Sequence, residues 1–185
     1  MKKMIIGALV GGLIIFGWQF LTWGPLNLHH AQQQYTAKQD SILSYLGTQF
    51  SEDGAFMLPT FKPGTSKDEM EKQMKAMEGK PWASVVYHKS MPGMNHMFMN
   101  MGHGLLVNIV LVWLLCWLIG KMSMPSFGTV FLSSVVTGLI VFFNSYYTMH
   151  IWYGSFDLWI HLLDAMICWG VTGLWLGWWL RRGIK

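Results

Sequence analysis

Leu158-Trp-Ile-His161-Leu-Leu-Asp164-Ala-Met-Ile-Cys168-Trp-Gly-Val-Thr172-Gly-Leu-Trp-Leu-Gly-Trp-Trp-Leu180 runs for 23 residues with a single carboxylate. A helix crosses the hydrocarbon core of a bilayer with about 17–25 mostly apolar residues, so this stretch reads as a transmembrane helix. Three more segments pass the same test: Met4–Trp23, Gly104–Gly120 and Phe127–Tyr147. The second is short and is expected to begin earlier, inside the Met-rich stretch before it. The composition agrees: 52% of residues are hydrophobic and 12% charged, with 11 Trp, whereas a soluble domain carries about a quarter charged residues. The expected fold is an all-α membrane protein, four transmembrane helices with a small α+β external module between helices 1 and 2. The expected domains are an N-terminal anchor helix (1–23), an extracytoplasmic module (24–95) and a three-helix bundle (96–185).

Charge sets the topology. Lys2, Lys3, Lys121, Arg181, Arg182 and Lys185 flank one end of the spans, while the long connection after the first span holds seven Lys and seven Asp/Glu and is neutral. Basic flanks stay in the cytoplasm, so both termini are expected on the cytoplasmic side of a bacterial inner membrane and residues from about 24 to 100 outside. The net charge of +4 is therefore a topology signal rather than a nucleic-acid patch. No small-x-small cleavage signal follows the first span, which reads Phe20-Leu-Thr-Trp-Gly-Pro-Leu, so it reads as a retained signal anchor. Cys116 and Cys168 both fall inside spans, which excludes a disulfide framework or thiolate metal site in the external region.

Within that region, Ile42, Leu43, Leu46 and Phe50 recur at helical spacing along 36–50. Ala55–Leu58 reads as extended and Trp82–Tyr87 as β-prone. Ser66-Lys-Asp-Glu69 is a capping box, in which the hydroxyl and the carboxylate each satisfy an orphan backbone donor at a helix start. That helix is expected to reach Met77 and stop at Gly79. A module of about 60 residues is near the lower size limit for independent folding.

On the final span His161, Asp164, Cys168 and Thr172 sit at offsets 0, +3, +7 and +11, within about 80° of one another at 100° per residue. Ser133, Thr137 and Asn144 form a comparable stripe on the third span, and Asn108 lies on the second. With the topology above, Asn108, Asn144, His161 and Asp164 are expected to converge in a polar pocket open to the outside. Asp in mid-membrane costs about 2.5–3.5 kcal/mol on insertion scales and needs protein, water and a partner around it, and His161 one turn away is the nearest candidate. The pair reads first as structural glue between helices and second as a proton or cation site.

The other dense stretch is His88-Lys-Ser-Met91-Pro-Gly-Met94-Asn-His96-Met97-Phe-Met99-Asn-Met101-Gly-His103, with five of the fifteen Met and three of the seven His. Thioether and imidazole suit soft metals such as Cu(I), and Met is equally the filler of adaptable apolar surfaces. On a helix starting near Asn95, His96, Met99 and His103 share one stripe, yet the two His lie about 10.5 Å apart along the axis. Met99 with either His makes half a copper site, to be completed by His88, Met91 or Met94 from the preceding loop, so packing is the favoured reading. His29-His30, just past the first span, reads either as a metal-ligating pair or as polar residues that hydrate the interface, the second being favoured, and Gly7-x-x-x-Gly11 and Gly173-x-x-x-Gly177 as points of close helix contact.

Three stretches carry a resemblance: Gly-Gly-Leu-Ile-Ile-Phe-Gly-Trp-Gln-Phe-Leu-Thr-Trp-Gly-Pro-Leu at 11–26, the capped Ser66/Glu69 helix, and the Trp152-Tyr-Gly-Ser-Phe156 turn before the last span. In these the chain resembles small, uncharacterised four-span inner-membrane proteins of bacteria, a likeness that implies no activity. The functional expectation is a non-enzymatic inner-membrane component, an accessory or assembly subunit or a homo-oligomer, with no catalytic residues and no cofactor. Copper handling by Met91, Met94, His96, Met99 and His103 and proton or small-solute passage at the Asp164 pocket are the alternatives.

Overall fold

A computed structural model describes residues 1–182 as seven α-helices, a short 3-10 helix at His30–Gln32, a π turn at Phe143–Tyr147 and one two-stranded sheet. The elements are α1 (Lys2–Trp23), α2 (Gln39–Gln49), β1 (Gly54–Leu58), α3 (Lys67–Met77), β2 (Ala83–Tyr87), α4 (Met94–Ile119), α5 (Phe127–Phe142), α6 (Thr148–Tyr153) and α7 (Leu158–Trp179). Four helices are long and apolar enough to cross a membrane: α1, α4, the continuous Phe127–Tyr153 helix that joins α5 to α6, and α7. The chain divides into two compact units, Met1–Gln34 with the chain from Gly93 on, and Tyr35–Pro92.

In the larger unit, α1 and α7 pack together, α4 lies on α1 and α5 lies on α7. Small residues make this possible. The buried face of α1 is Gly7, Ala8, Gly11, Gly12 and Ile15, recurring at helical spacing. A Cβ placed on Gly12 would stand 2.8 Å from the Ile109 backbone, so only glycine lets α4 approach this closely. Gly138 on α5 receives the Trp169 ring of α7 in the same way, at 2.7 Å from such a Cβ. Polar atoms then tie the helices together: Ser134 Oγ donates to the Trp169 carbonyl at 2.6 Å, and Trp179 Nε1 donates to the Lys3 carbonyl at 2.8 Å. The central core of Ile15, Val112, Val130 and Leu176 is closed to solvent. Large apolar side chains instead cover the outside, among them Leu13, Leu106, Leu132, Ile140 and Leu174, far more than a soluble monomer leaves uncovered.

α4 begins at Met94, so the second span does start inside the Met-rich stretch. The third helix runs further than its hydropathy suggests. Phe143–Tyr147 winds as a π turn and the helix continues through Thr148–Tyr153, ending only at Gly154 with φ 64°. Residues 148–153 contain no Gly or Pro to stop it, so the expected ten-residue turn shrinks to Gly154–Asp157.

The smaller unit pairs β1 with β2 antiparallel, from Gly54 opposite Tyr87 to Leu58 opposite Ala83. The Phe50 ring stacks on Phe56 at 3.9 Å. Ser66 caps α3 by accepting from the Glu69 amide, and Gly79 with φ 72° follows the helix end. None of residues 35–92 is fully buried, which is the thin core expected of so short a segment.

Candidate functional site

Three pieces of the larger unit meet at the end of the bundle that carries Trp23, Tyr153 and Asp157. The first is the segment that leaves α1. Gly24 and Pro25 cannot prolong a helix here, and Asn27 takes the left-handed conformation (φ 45°) that Asn tolerates better than most residues. Backbone bonds from Leu26 to the Leu21 carbonyl (2.9 Å) and from Leu28 to the Thr22 carbonyl (2.8 Å) fold the chain back on the helix end. His29, which reads from the sequence as an interfacial residue, is thereby carried inward and is 2% exposed.

The second piece is the Gly154–Asp157 turn. His150 clamps it, its Nδ1 accepting from the Ser155 amide at 3.1 Å. Asp157 stands at the N-cap of α7, where its carbonyl accepts from the Ile160 and His161 amides at 2.9 and 3.2 Å. An N-cap Asp ordinarily spends its carboxylate on the amide of the second or third helical residue, here Trp159 or Ile160. Asp157 makes no such side-chain bond and sends its carboxylate to the cluster instead.

The third piece is α7 itself, whose His161 and Asp164 lie on the same stripe. Asp157 extends that stripe one turn towards the helix start, at offset −4 from His161.

At the centre, His29 stands between two carboxylates. Its Nδ1 is 2.6 Å from Asp157 Oδ2 and its Nε2 is 2.9 Å from Asp164 Oδ2. His161 Nε2 is 3.3 Å from the same Asp157 oxygen. Gln32 donates its amide to Asp157 Oδ1 and lies 3.3 Å from His161 Nε2. Asp164 is held from the other side by Trp18 Nε1 at 2.8 Å and by the Thr22 hydroxyl at 3.4 Å. Two aromatic rings brace the imidazoles: Trp23 stacks on His29 at 4.0 Å and Tyr146 on His161 at 3.7 Å. Burial pushes the Asp157 carboxyl up, but hydrogen bonds from His29 and Gln32 and the neighbouring imidazoles outweigh it and hold the group below the usual carboxylate range.

The cluster borders two spaces. One is a cavity of about 760 Å³ lined by Trp23, Gln32, Tyr146, Tyr153, Phe156 and His161. The other is a recess of about 70 Å³ deeper in the bundle, lined by Gln19, Asn108, Tyr146, His161, Asp164 and Cys168. Asn108 donates to the Gln19 side chain at 2.8 Å. Further in, Thr172 Oγ1 is buried with no hydrogen-bond partner among the described residues, and Val112, Val130 and Leu176 close the core.

Of the residues singled out from the sequence, Asn108, His161 and Asp164 line one recess. Asn144 does not join them; it lies exposed in the π turn. The local pairing also differs. Asp164 takes its partners from Trp18, Thr22 and His29, and His161 takes its carboxylate from Asp157. In the Met/His stretch Met91, Met94, Met99, His96 and His103 are all exposed, and His96 Nδ1 lies 3.2 Å from the Asn100 amide nitrogen. His88 pairs with Asp53 at 3.1 Å inside the smaller unit.

Asp157 and Gln32 are not marked out by the sequence, because each looks ordinary where it stands, in a turn and a polar exit, and His29 is marked only as half of a His pair whose favoured reading is hydration of the interface. The stripe on α7, carried back one turn, would have found Asp157. Nothing local shows that His29 is buried between carboxylates, because its place depends on the reversal at Asn27. Comparison with protein-family models, with curated proteins and with solved structures finds no match to this chain.

Proposed function

We propose that this chain is a multi-pass protein of the bacterial inner membrane that captures a positively charged small solute from the extracytoplasmic side. The observation that carries the proposal is His29 held between Asp157 and Asp164. A neutral imidazole donates through one nitrogen only, yet both nitrogens face carboxylate oxygens at 2.6 and 2.9 Å. Among the described residues every ion-pair partner of these two carboxylates is an imidazole, with no Lys or Arg among them. Buried charge without a partner is costly, so the cluster is built to hold added positive charge, and the cavity beside it gives a solute a way in.

Basic residues at the opposite end of the spans support a cavity that opens to the outside, with both termini in the cytoplasm. The closed core beyond Thr172 supports capture rather than free conduction by one chain; onward movement requires rearrangement or assembly with other subunits or with itself. The role is non-enzymatic, and it replaces pure helix glue as the reading of Asp164. Copper handling by the exposed Met/His stretch has no comparable support, because the ligands there are spread along one helix face.

The test is a cation panel, covering alkali, organic monovalent and divalent ions, on purified protein in nanodiscs. Thermal unfolding is expected to shift upward with at least one class in the wild type and not in Asp164→Asn combined with Asp157→Asn. A panel in which no cation stabilises the wild type more than this double variant would overturn the proposal.

A further inference from the structure

We propose that the solute held by this cluster is a divalent first-row transition ion of the Zn²⁺ class, ligated by His29 Nδ1, His161 Nε2 and Asp157 Oδ2. The inference rests on the cation-capture reading above and names its cargo. Three observations carry it.

The first is geometry. One ligand atom from each of these residues lies within 4.8 Å of the other two, and all three residues are buried. Tetrahedral Zn²⁺ with bonds of about 2.0–2.1 Å sets its ligand atoms about 3.4 Å apart. His161 Nε2 and Asp157 Oδ2 are already at 3.3 Å. His29 Nδ1 and Asp157 Oδ2, at 2.6 Å, need to part by less than about an ångström.

The second is the support behind the ligands. A metal-bound histidine commonly donates its other ring N–H to a carboxylate, which fixes the tautomer and the ring plane. Asp164 occupies that place behind His29, with Nε2 at 2.9 Å. Trp18 and Thr22 hold Asp164 in turn. With the proton on Nε2, the Nδ1 lone pair is free for an ion. Trp23 and Tyr146, stacked on the two rings, keep both imidazoles from turning away.

The third is charge. Two carboxylates and two neutral imidazoles carry −2, which a divalent ion cancels. Nitrogen and oxygen ligands without a thiolate or thioether favour a borderline divalent ion over Cu(I), and two imidazoles disfavour Mg²⁺ and Ca²⁺. Three protein ligands leave a fourth position. Gln32 and His161 both line the 760 Å³ cavity, so that position faces the route of entry, and the Gln32 amide beside Asp157 and His161 is the group an arriving ion displaces.

Full-length, tag-free protein in detergent, stripped with chelator, should be titrated with Zn²⁺ by calorimetry and with Co²⁺ by visible absorption. One equivalent should bind at micromolar affinity or tighter, and Co²⁺ should show the strong d–d bands of a four-coordinate nitrogen/oxygen site. Asp157→Asn and His161→Gln should each abolish the bands. Asp164→Asn should keep them while weakening affinity about 10–100-fold, as loss of an orienting carboxylate does. Replacing His96 and Met99 by Ala should change nothing.

The Co²⁺ spectrum of the wild type needs no variant to fold: its absence at millimolar Co²⁺ overturns the metal proposal. So does binding that survives unchanged in a folded Asp157→Asn variant. If divalent ions fail while another cation still stabilises the wild type through Asp157 and Asp164, the cargo is wrong and cation capture stands. If every cation fails, both readings fall.

Discussion

His29 is the residue on which the candidate site turns, and its removal is more disruptive than its single ring suggests. His29→Ala leaves Asp157 and Asp164 facing each other inside the bundle without the ring between them. Breaking a buried charge network from one side costs about 3–5 kcal/mol, so the variant should unfold at clearly lower temperature in nanodiscs. Asp157→Asn with Asp164→Asn added to His29→Ala should recover part of that loss, because the uncompensated charge is gone. A triple variant no more stable than His29→Ala would mean that packing of the ring under Trp23, rather than charge, carries the stability.

Asp53 gives a second case at this scale, in the smaller unit. The Lys89 backbone N–H, at 3.0 Å, and then the His88 ring, at 3.1 Å, hold its carboxyl below the usual range. A folded pKa lowered in this way contributes stability above the unfolded carboxylate value of about 3.9, and that contribution is lost as pH falls through the folded value. Hydrogen exchange at the Lys89 amide should therefore quicken on acidification below about pH 4 relative to its intrinsic rate, and Asp53→Asn should remove that extra pH dependence.

Among the elements, the pairing of α1 with α4 is the most sharply specified. Gly12 faces Ile109 backbone atoms, which cannot swing aside as a side-chain tip would. Gly12→Ala should force the two helices apart and cost about 1–3 kcal/mol, the usual penalty of overpacking. Gly17→Ala, on the same helix with nothing within 4 Å of a new Cβ, should cost nothing measurable, and thermal unfolding of the two variants separates the cases. The long helices were legible from hydropathy, and the Ser66 cap of α3 from residue type, although of the expected box only the hydroxyl half is made. The continuation of the third helix to Tyr153 was not, because an aromatic-rich stretch with polar residues looks the same whether it winds on as helix or turns at an interface. Only Gly154 marks the true end, and hydropathy does not weigh backbone geometry.

For the whole molecule the leading prediction concerns topology. Both native cysteines are buried, so introduced ones can be read cleanly. A membrane-impermeant maleimide applied to intact cells should label Ser66→Cys and should leave Ser123→Cys, beside Lys121, unlabelled until the membrane is opened. Labelling of Ser123→Cys in intact cells would invert the assignment and move the cluster and its cavity to the cytoplasmic side.

Length, apolar runs, basic flanks and the His161–Asp164–Cys168 stripe could all be read along the chain, because each is set by near neighbours at 1.5 Å per residue. Those features alone specified four long apolar helices, a small sheet-bearing insert and a polar face on the last helix. What the tertiary structure decided was the company that Asp164 keeps. Its partners lie 135 to 146 residues away in Trp18, Thr22 and His29, brought there by the glycine-lined contacts of α1 and by one left-handed turn at Asn27. The Met/His stretch is the richer pattern in sequence, yet its residues lie exposed and helical rise spaces His96 and His103 apart. The sparser histidines and aspartates come together in one buried cluster because three separate segments converge there, and convergence is not written in any one segment.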